Sequence, residues 1–323
     1  MPQVNHILVP VEMHENAVPV VRWAALLART LGSRLTLLHV DEALEPLKTR
    51  PAFSSGRIPG ATTTVEQWRS DYEQTARLEL AQLIEQHCTG VQAETLLLEG
   101  RAHATILKYL ETTPHELMVM GTHGKPWYQR LLLGSTAETV LRASPVPVLI
   151  VHNTAAAQRP PQLKKLLFPT DFSAAGKAGE DWALQLATHG VEEVSLVHVV
   201  ENPLLDVYNP DTAEIDLRQL MAESRQHPPR SAQPFWDHAH QMAHAKLTLL
   251  RQQLLGEHVQ VEVLVQEGPA AEDIFKVAEK KSVDLIVMAT HGRTGVRRLL
   301  LGSVTEKVIR TAPCPVLAVP SRE

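Results

Sequence analysis

One stretch of this chain occurs twice. Residues 130–150 read RLLLGSTAETVLRASPVPVLI and residues 298–318 read RLLLGSVTEKVIRTAPCPVLA, with thirteen of the twenty-one positions identical. The match continues upstream at the same offset of 168, pairing His115–Gly124 with Val283–Gly292 and Leu98-Glu99-Gly100 with Gln266-Glu267-Gly268. Nearer the start of each copy the offset is 159: Ile7–Glu12 matches Leu166–Asp171, Trp23 matches Trp182, and His39-Val40 matches His198-Val199. The second copy therefore carries nine extra residues in its middle. A unit this long is a domain in its own right, and the chain must be two copies of one architecture.

The 323 residues divide into domains at 1–153 and 164–323, joined by a short polar, proline-containing linker at 154–163. Each half is long enough to bury its own core, and with aromatic residues at only 4% that core is aliphatic. A formal charge of −5 and a pI near 6.3 argue against general affinity for nucleic acid, which needs clustered Lys and Arg. No apolar run has the length of a bilayer span, and Met1–His6 does not open a signal-type segment. Cys88 and Cys314 form no CxxC pair, which fits a reducing compartment, so a cytoplasmic protein without membrane insertion is expected.

Within each copy, short β-branched or Leu-rich runs alternate with longer segments of helical period. In the second copy the runs are Lys165–Thr170, Val194–Val199, Val259–Val265, Asp284–Ala289 and Pro315–Val319. This pattern predicts an α/β fold, two tandem doubly wound domains with five parallel strands each. Ligands of such sheets sit beyond the carboxyl ends of the strands, where strand order reverses. Residues that directly follow strands therefore carry the functional interest.

One such place follows the fourth strand. In the first copy Leu117–Met120 runs into Gly121-Thr122-His123-Gly124, then nine residues, then Gly134-Ser135 opening a helix. Glycine after the strand lets a backbone approach a ribose, and the Gly-Ser helix start turns free amides and a positive dipole end toward an anion. Lys125 and Arg130, and in the second copy Arg293, Arg297 and Arg298, add cations to the same loop. The same residues have a purely structural use: Ser135-Thr136-Ala137-Glu138 and Ser303-Val304-Thr305-Glu306 are both capping boxes in sequence.

The G-x-x-G-x9-G-[ST] spacing after a Val-Met strand, followed by an apolar helix and a Pro-Val-Pro-Val strand, resembles the universal stress protein family, twice over nearly the whole chain. The resemblance implies an adenine-nucleotide-binding domain with a flavodoxin-like order, and ATP, ADP or AMP as ligand, with Mg or Mn accompanying it. In the first copy it implies contacts at Glu12, Val40, Gly121, His123, Gly124, Gly134, Ser135 and Thr136. In the second it implies Pro169, Thr170, Asp171, Val199, Met288, Ala289, His291, Gly292, Arg293, Gly302, Ser303 and Val304. Each copy departs once: Glu12 stands where the family has Asp, and Ala289 replaces the first loop glycine, forbidding a φ that only glycine reaches. The Pro-Thr-Asp-Phe-Ser run at 169–173 fits the family pattern best and marks the second copy as the tighter site. The last strands, Val146–Val151 and Cys314–Val319, are apolar sheet edges that invite pairing, and in family dimers this strand pairs across the interface. An internal pseudo-dimer is therefore expected, with further homodimerisation through another face left open.

Asp237, His240 and His244 fall on one helical face at i, i+3 and i+7, a spacing that suits either a shared metal or a solvated surface. Residues 202–234, like the shorter 48–64 of the first copy, are expected to form an excursion beside the cleft. There is no P-loop, kinase signature or nucleophile with an adjacent base. The expected function is thus a nucleotide-responsive binding or signalling protein of the stress response with a protein partner and at most weak ATP hydrolysis. The alternatives are an adenylyl- or phosphoryl-transfer enzyme on the same scaffold and a nucleotide-independent adaptor.

Overall fold

A computed structural model describes residues 3–13, 17–42, 64–122, 133–152, 159–201, 233–254, 259–290 and 301–321. In the first copy β1 (His6–Pro10), α1 (Ala17–Leu31), β2 (Arg34–Asp41), α2 (Val65–His87), β3 (Ala93–Glu99), α3 (Ala102–Thr112), β4 (Leu117–Gly121), α4 (Ser135–Ala143) and β5 (Val148–Val151) alternate. The second copy repeats them as β6 (Lys165–Pro169), α5 (Lys177–Ala187), β7 (Glu193–Val200), α6 (Gln233–Leu254), β8 (Gln260–Glu267), α7 (Ala270–Lys281), β9 (Leu285–Ala289), α8 (Ser303–Thr311) and β10 (Val316–Val319). The inner strands read as unbroken apolar runs, LMVMG in β4 and LIVMA in β9, because helices cover them on both faces.

All ten strands form one sheet in the order β3-β2-β1-β4-β5-β10-β9-β6-β7-β8. Each half is a five-stranded parallel sheet, and the halves join antiparallel through Val148↔Ala318, Leu149↔Leu317 and Ile150↔Val316. The doubly wound halves and their pairing through the last strands are as expected. The order within each half, 3-2-1-4-5, reverses between the first and fourth strands; the flavodoxin order, 2-1-3-4-5, reverses between the first and third. The difference arises because the chain crosses outward twice, from β1 to β2 to β3, before it returns.

Two cores flank the sheet and both run across the two copies. One joins residues of α1, α2, α5 and α6, among them Trp23, Leu80, Trp182 and Leu247; the other joins residues of α3, α4, α7 and α8, among them Ile106, Val140, Ile274 and Ile309. Because β5 and β10 run antiparallel, the carboxyl ends of the two half-sheets face opposite edges of the molecule.

The crevices have a local cause. β1 pairs with β2 over five residues, but with β4 only at Ile7↔Leu117 and Leu8↔Met118, and β6 with β9 only at Leu166↔Leu285 and Leu167↔Ile286. Beyond those pairs the strands part, and each gap opens at the reversal of strand order. At the opposite end an acid closes the sheet in both copies. Asn5 and His6 donate their backbone N–H groups to Glu116 Oε2 (3.0 and 2.9 Å), as Lys164 and Lys165 do to Asp284 Oδ2 (2.9 Å each).

Candidate functional site

The gap between β1 and β4 is a cavity of about 330 Å³. Six residues singled out from the sequence line it together: Glu12, Val40, Gly121, Gly134, Ser135 and Thr136. Val11, Val20, Leu38, Ile106 and Met120 give it apolar walls, and His39 and Thr122 add polar groups that the sequence reading did not assign. His123 and Gly124 lie outside the described residues, as do Lys125 and Arg130 and, in the second copy, His291, Gly292, Arg293, Arg297 and Arg298.

The helix that opens on the cavity starts differently from the capping-box expectation. Gly134 is the N-cap of α4, with extended backbone at φ −60° and ψ 147° and no side-chain cap, and Gly302 plays the same part for α8 at φ −59° and ψ 138°. Ser135 and Ser303 are first helical residues, so neither serine caps. The reason lies in the preceding strand: Gly134 donates its N–H to Thr122 O and Gly302 to Thr290 O, both at 2.8 Å, which commits the chain to enter the helix at the glycine. Glu138 and Glu306 meet Arg142 and Arg310 instead of reaching back to a cap. The first-turn amides of each helix have no intrahelical acceptor and, among the described residues, no capping side chain; at α4, whose first residues line the cavity, the positive end of the dipole faces it.

Gly121 does not have the positive φ that the sequence reading reserved for glycine at this place. It is small because a Cβ here would stand 3.2 Å from Val20 Cγ2 on α1. In the second copy Ala289 carries that Cβ, and the residue facing it, in the place of Val20, is Gly179. A Cβ on Gly179 would in turn meet Ala289 N and Phe168 Cε2, each at 3.3 Å. The departure at Ala289 is therefore half of an exchange of bulk between strand and helix, with no glycine-only backbone lost.

His39 and His198 act as staples. His39 donates Nδ1–H to Val11 O (2.9 Å), which leaves Nε2 to accept from the Tyr72 hydroxyl (2.8 Å). The strand-one loop and α2 are thereby tied to one imidazole. His198 makes the same bond to Thr170 O (2.7 Å), but its ring lies tilted against Phe172 with the centroids 4.6 Å apart, and Lys246 lies 5.0 Å over the Phe172 ring. Asp171 Oδ1 accepts from Ser173 N at 3.0 Å and Thr170 Oγ1 from Phe172 N at 3.1 Å, which fixes the loop beside Pro169. Glu42 and Glu201, missed in the sequence, accept from the first amides of α3 and α7, Ala102 N (2.6 Å) and Ala270 N (2.8 Å).

Val199 lies on β7, Met288 and Ala289 end β9, and Val304 sits in the first turn of α8, so the second copy repeats the frame of the first. The histidine face of α6 departs from the metal reading. His240 Nε2 lies 2.7 Å from Glu267 Oε1, and among the described residues no three His, Cys, Asp or Glu side chains converge on a metal position. Helix geometry aligned these residues, but a neighbouring strand end supplied a nearer partner. Most of the 202–234 excursion and the 48–64 segment lies outside the described residues. Burial raises the thiol pKa of Cys88 to about 11 and of Cys314 to about 12, so both are inert. Among the described residues no helix is long and apolar enough to cross a membrane.

Fold and site together define a class: fused doubly wound α/β domains, each with a helix that starts at a glycine near its switch point, where the first copy has a cavity. The chain belongs to the universal stress protein family, whose model matches residues 3–152 and 162–320. Two universal stress proteins of Methanocaldococcus jannaschii are 30% and 34% identical over 159 and 157 residues, each aligning with 48% of this chain and with 94% and 81% of their own lengths. A universal stress protein of Mycolicibacterium smegmatis is 28% identical over 324 residues, covering 98% of this chain and 97% of its own. Among solved structures, a universal stress protein from Archaeoglobus fulgidus superposes with a TM-score of 0.63 at 20% identity, covering 99% of this chain and 98% of its own, a likeness of fold.

Proposed function

We propose that this chain is an adenine-nucleotide-binding protein, with ATP or its lower phosphates as ligand, whose occupancy changes the surface offered to a protein partner during stress. The observation that carries the reading is the first-copy cavity, in which an apolar wall, the Glu12 carboxylate and the uncapped start of α4 face one space of about 330 Å³. That volume lies at the lower end of the range of ligand pockets, about 300–1,000 Å³. A base would rest on the walls formed by Val40, Ile106 and Met120, and phosphates would meet the amides of the first turn of α4. Mg or Mn would arrive with the triphosphate, held mainly by its oxygens.

Binding is favoured over turnover because His39, the imidazole that lines the cavity among the described residues, has both ring nitrogens engaged and is not poised as a base. The test is to denature the purified protein and identify the small molecules released, then to follow thermal unfolding with ATP and magnesium. A released adenine nucleotide is expected, together with stabilisation of about 2.7 kcal/mol at a hundredfold excess over Kd. No released nucleotide and no shift in unfolding would overturn the reading.

A further inference from the structure

Three residues that wall the first cleft, Val40, Ile106 and Met120, are matched at the equivalent positions of the second copy by Val199, Ile274 and Met288. The helix starts of the two copies differ. In the first copy Thr136, the second residue of α4, lines the cavity beside Ser135 and makes no hydrogen bond among the described residues. Behind it Ala137 is buried against the sheet. In the second copy the hydroxyl has moved by one position. Val304 stands in the place of Thr136, while Thr305, in the place of Ala137, is buried and donates its hydroxyl to Ala289 O at 2.9 Å. One turn has, at the cavity lining, a hydroxyl residue without a hydrogen bond among the described residues; the other bonds its hydroxyl to the end of β9.

We propose that Thr136 is a specificity-determining residue of the first cleft, selecting phosphorylated over unphosphorylated nucleosides, and that the second cleft, with Val304 there, discriminates less. This rests on the nucleotide reading above and adds to it which residue sets the preference and which copy holds it. A hydroxyl next to free helix amides adds a charge-assisted hydrogen bond to a phosphate oxygen and nothing to a neutral nucleoside. The expectation of a tighter second site came from the loop at Asp171; the helix starts favour the first copy for the anionic part of the ligand.

The full-length protein is titrated calorimetrically with ATP and with adenosine, the second cleft being silenced by Gly302→Asp. In that background Thr136→Val is expected to weaken ATP by about tenfold or more, the loss of a hydrogen bond to a charged group, with adenosine affinity unchanged. Thr136→Ser, which keeps the hydroxyl, should retain ATP affinity. Each comparison stays within one cleft, so the basic residues of the two loops do not enter it. With Gly134→Asp silencing the first cleft, Val304→Thr should strengthen ATP binding in the second. Equal ATP affinity in Thr136→Val, an equal loss for ATP and adenosine, loss of ATP binding in Thr136→Ser, or no gain from Val304→Thr would overturn the proposal while leaving nucleotide binding intact. Absence of nucleotide binding in the wild-type protein would overturn the underlying reading.

Discussion

Gly179 and Ala289 are legible as a pair only in three dimensions. In sequence Ala289 is a missing glycine; in space its methyl belongs to an interface with α5 from which the opposing side chain has been removed, while Val20 and Gly121 divide the same space the other way. A helix-interior glycine ordinarily costs about 0.5–1 kcal/mol relative to alanine, yet here a Cβ meets a backbone nitrogen and the ring of the buried Phe168. Gly179→Val, which imports the first copy's residue, is therefore expected to destabilise by about 1–3 kcal/mol through overpacking, read from the denaturation midpoint at unchanged slope. A neutral result would mean that α5 stands further from β9 than described. His115 is a second case in which the copies test each other. Burial holds its pKa below the usual 6.5, its Nε2 has no hydrogen-bond partner among the described residues, and the second copy has Val283 in its place. Below pH 6.5 the unfolded chain takes up the proton before the folded one. Stability is thus fully present above that pH and is lost as the pH falls toward the depressed folded pKa. His115→Val should flatten the fall of the melting temperature on the acid side of pH 6.5, leaving the part due to His87, which burial and Arg22 also hold down. A slope as steep as in the wild-type protein would assign the acid sensitivity elsewhere.

At the scale of elements, α4 separates a structural use of a helix start from a binding one. Gly134 has a backbone conformation open to any residue, and aspartate is a better N-cap than glycine by only a few tenths of a kcal/mol while also favouring the dipole. Gly134→Asp should therefore leave the melting temperature unchanged or slightly raised while abolishing nucleotide binding in the first cleft, because its carboxylate occupies the anion position. Retained binding with a raised melting temperature would show that the ligand does not use this helix end. The G-x-x-G-x9-G-S spacing made the position of α4 legible, since glycine after a strand and before a helix marks both boundaries. Which residue caps it was not legible. Ser135 and Glu138 have the right spacing for a box, and only the hydrogen bond from Gly134 to the carbonyl of Thr122, which depends on where the strand ends, decides against it. The staple formed by His39 was hidden for the same reason: its partners, Val11 and Tyr72, lie 28 and 33 residues away in sequence.

Across the whole molecule the repeat predicted two domains and its apolar last strands predicted their pairing, but the polar contacts that cross between them needed the fold. α4 and α8 lie on the same face of the sheet, flanking the β5–β10 seam, and their side chains form a closed quartet. Arg142 reaches Glu138 (3.0 Å) and Glu306 (3.2 Å), while Arg310 reaches Glu306 (3.0 Å) and Glu138 (3.4 Å). All four are about 26–32% exposed, so solvent screens them and each pair is worth about 0–1 kcal/mol. Both cores and the fully buried Leu149 and Ile150 of the seam carry much more. The quartet therefore links the sides of α4 and α8 across the seam and contributes little to holding the copies together. Glu138→Gln with Glu306→Gln should lower stability by about 1 kcal/mol at low ionic strength, an effect that fades in high salt, with unfolding still in one transition. Leu149→Asp, which places an unpaired charge in the seam, should cost several times as much irrespective of salt and separate the unfolding of the two copies. A loss for the glutamine pair as large and as independent of salt as that of Leu149→Asp would make the quartet, rather than the apolar seam, the element that joins the domains.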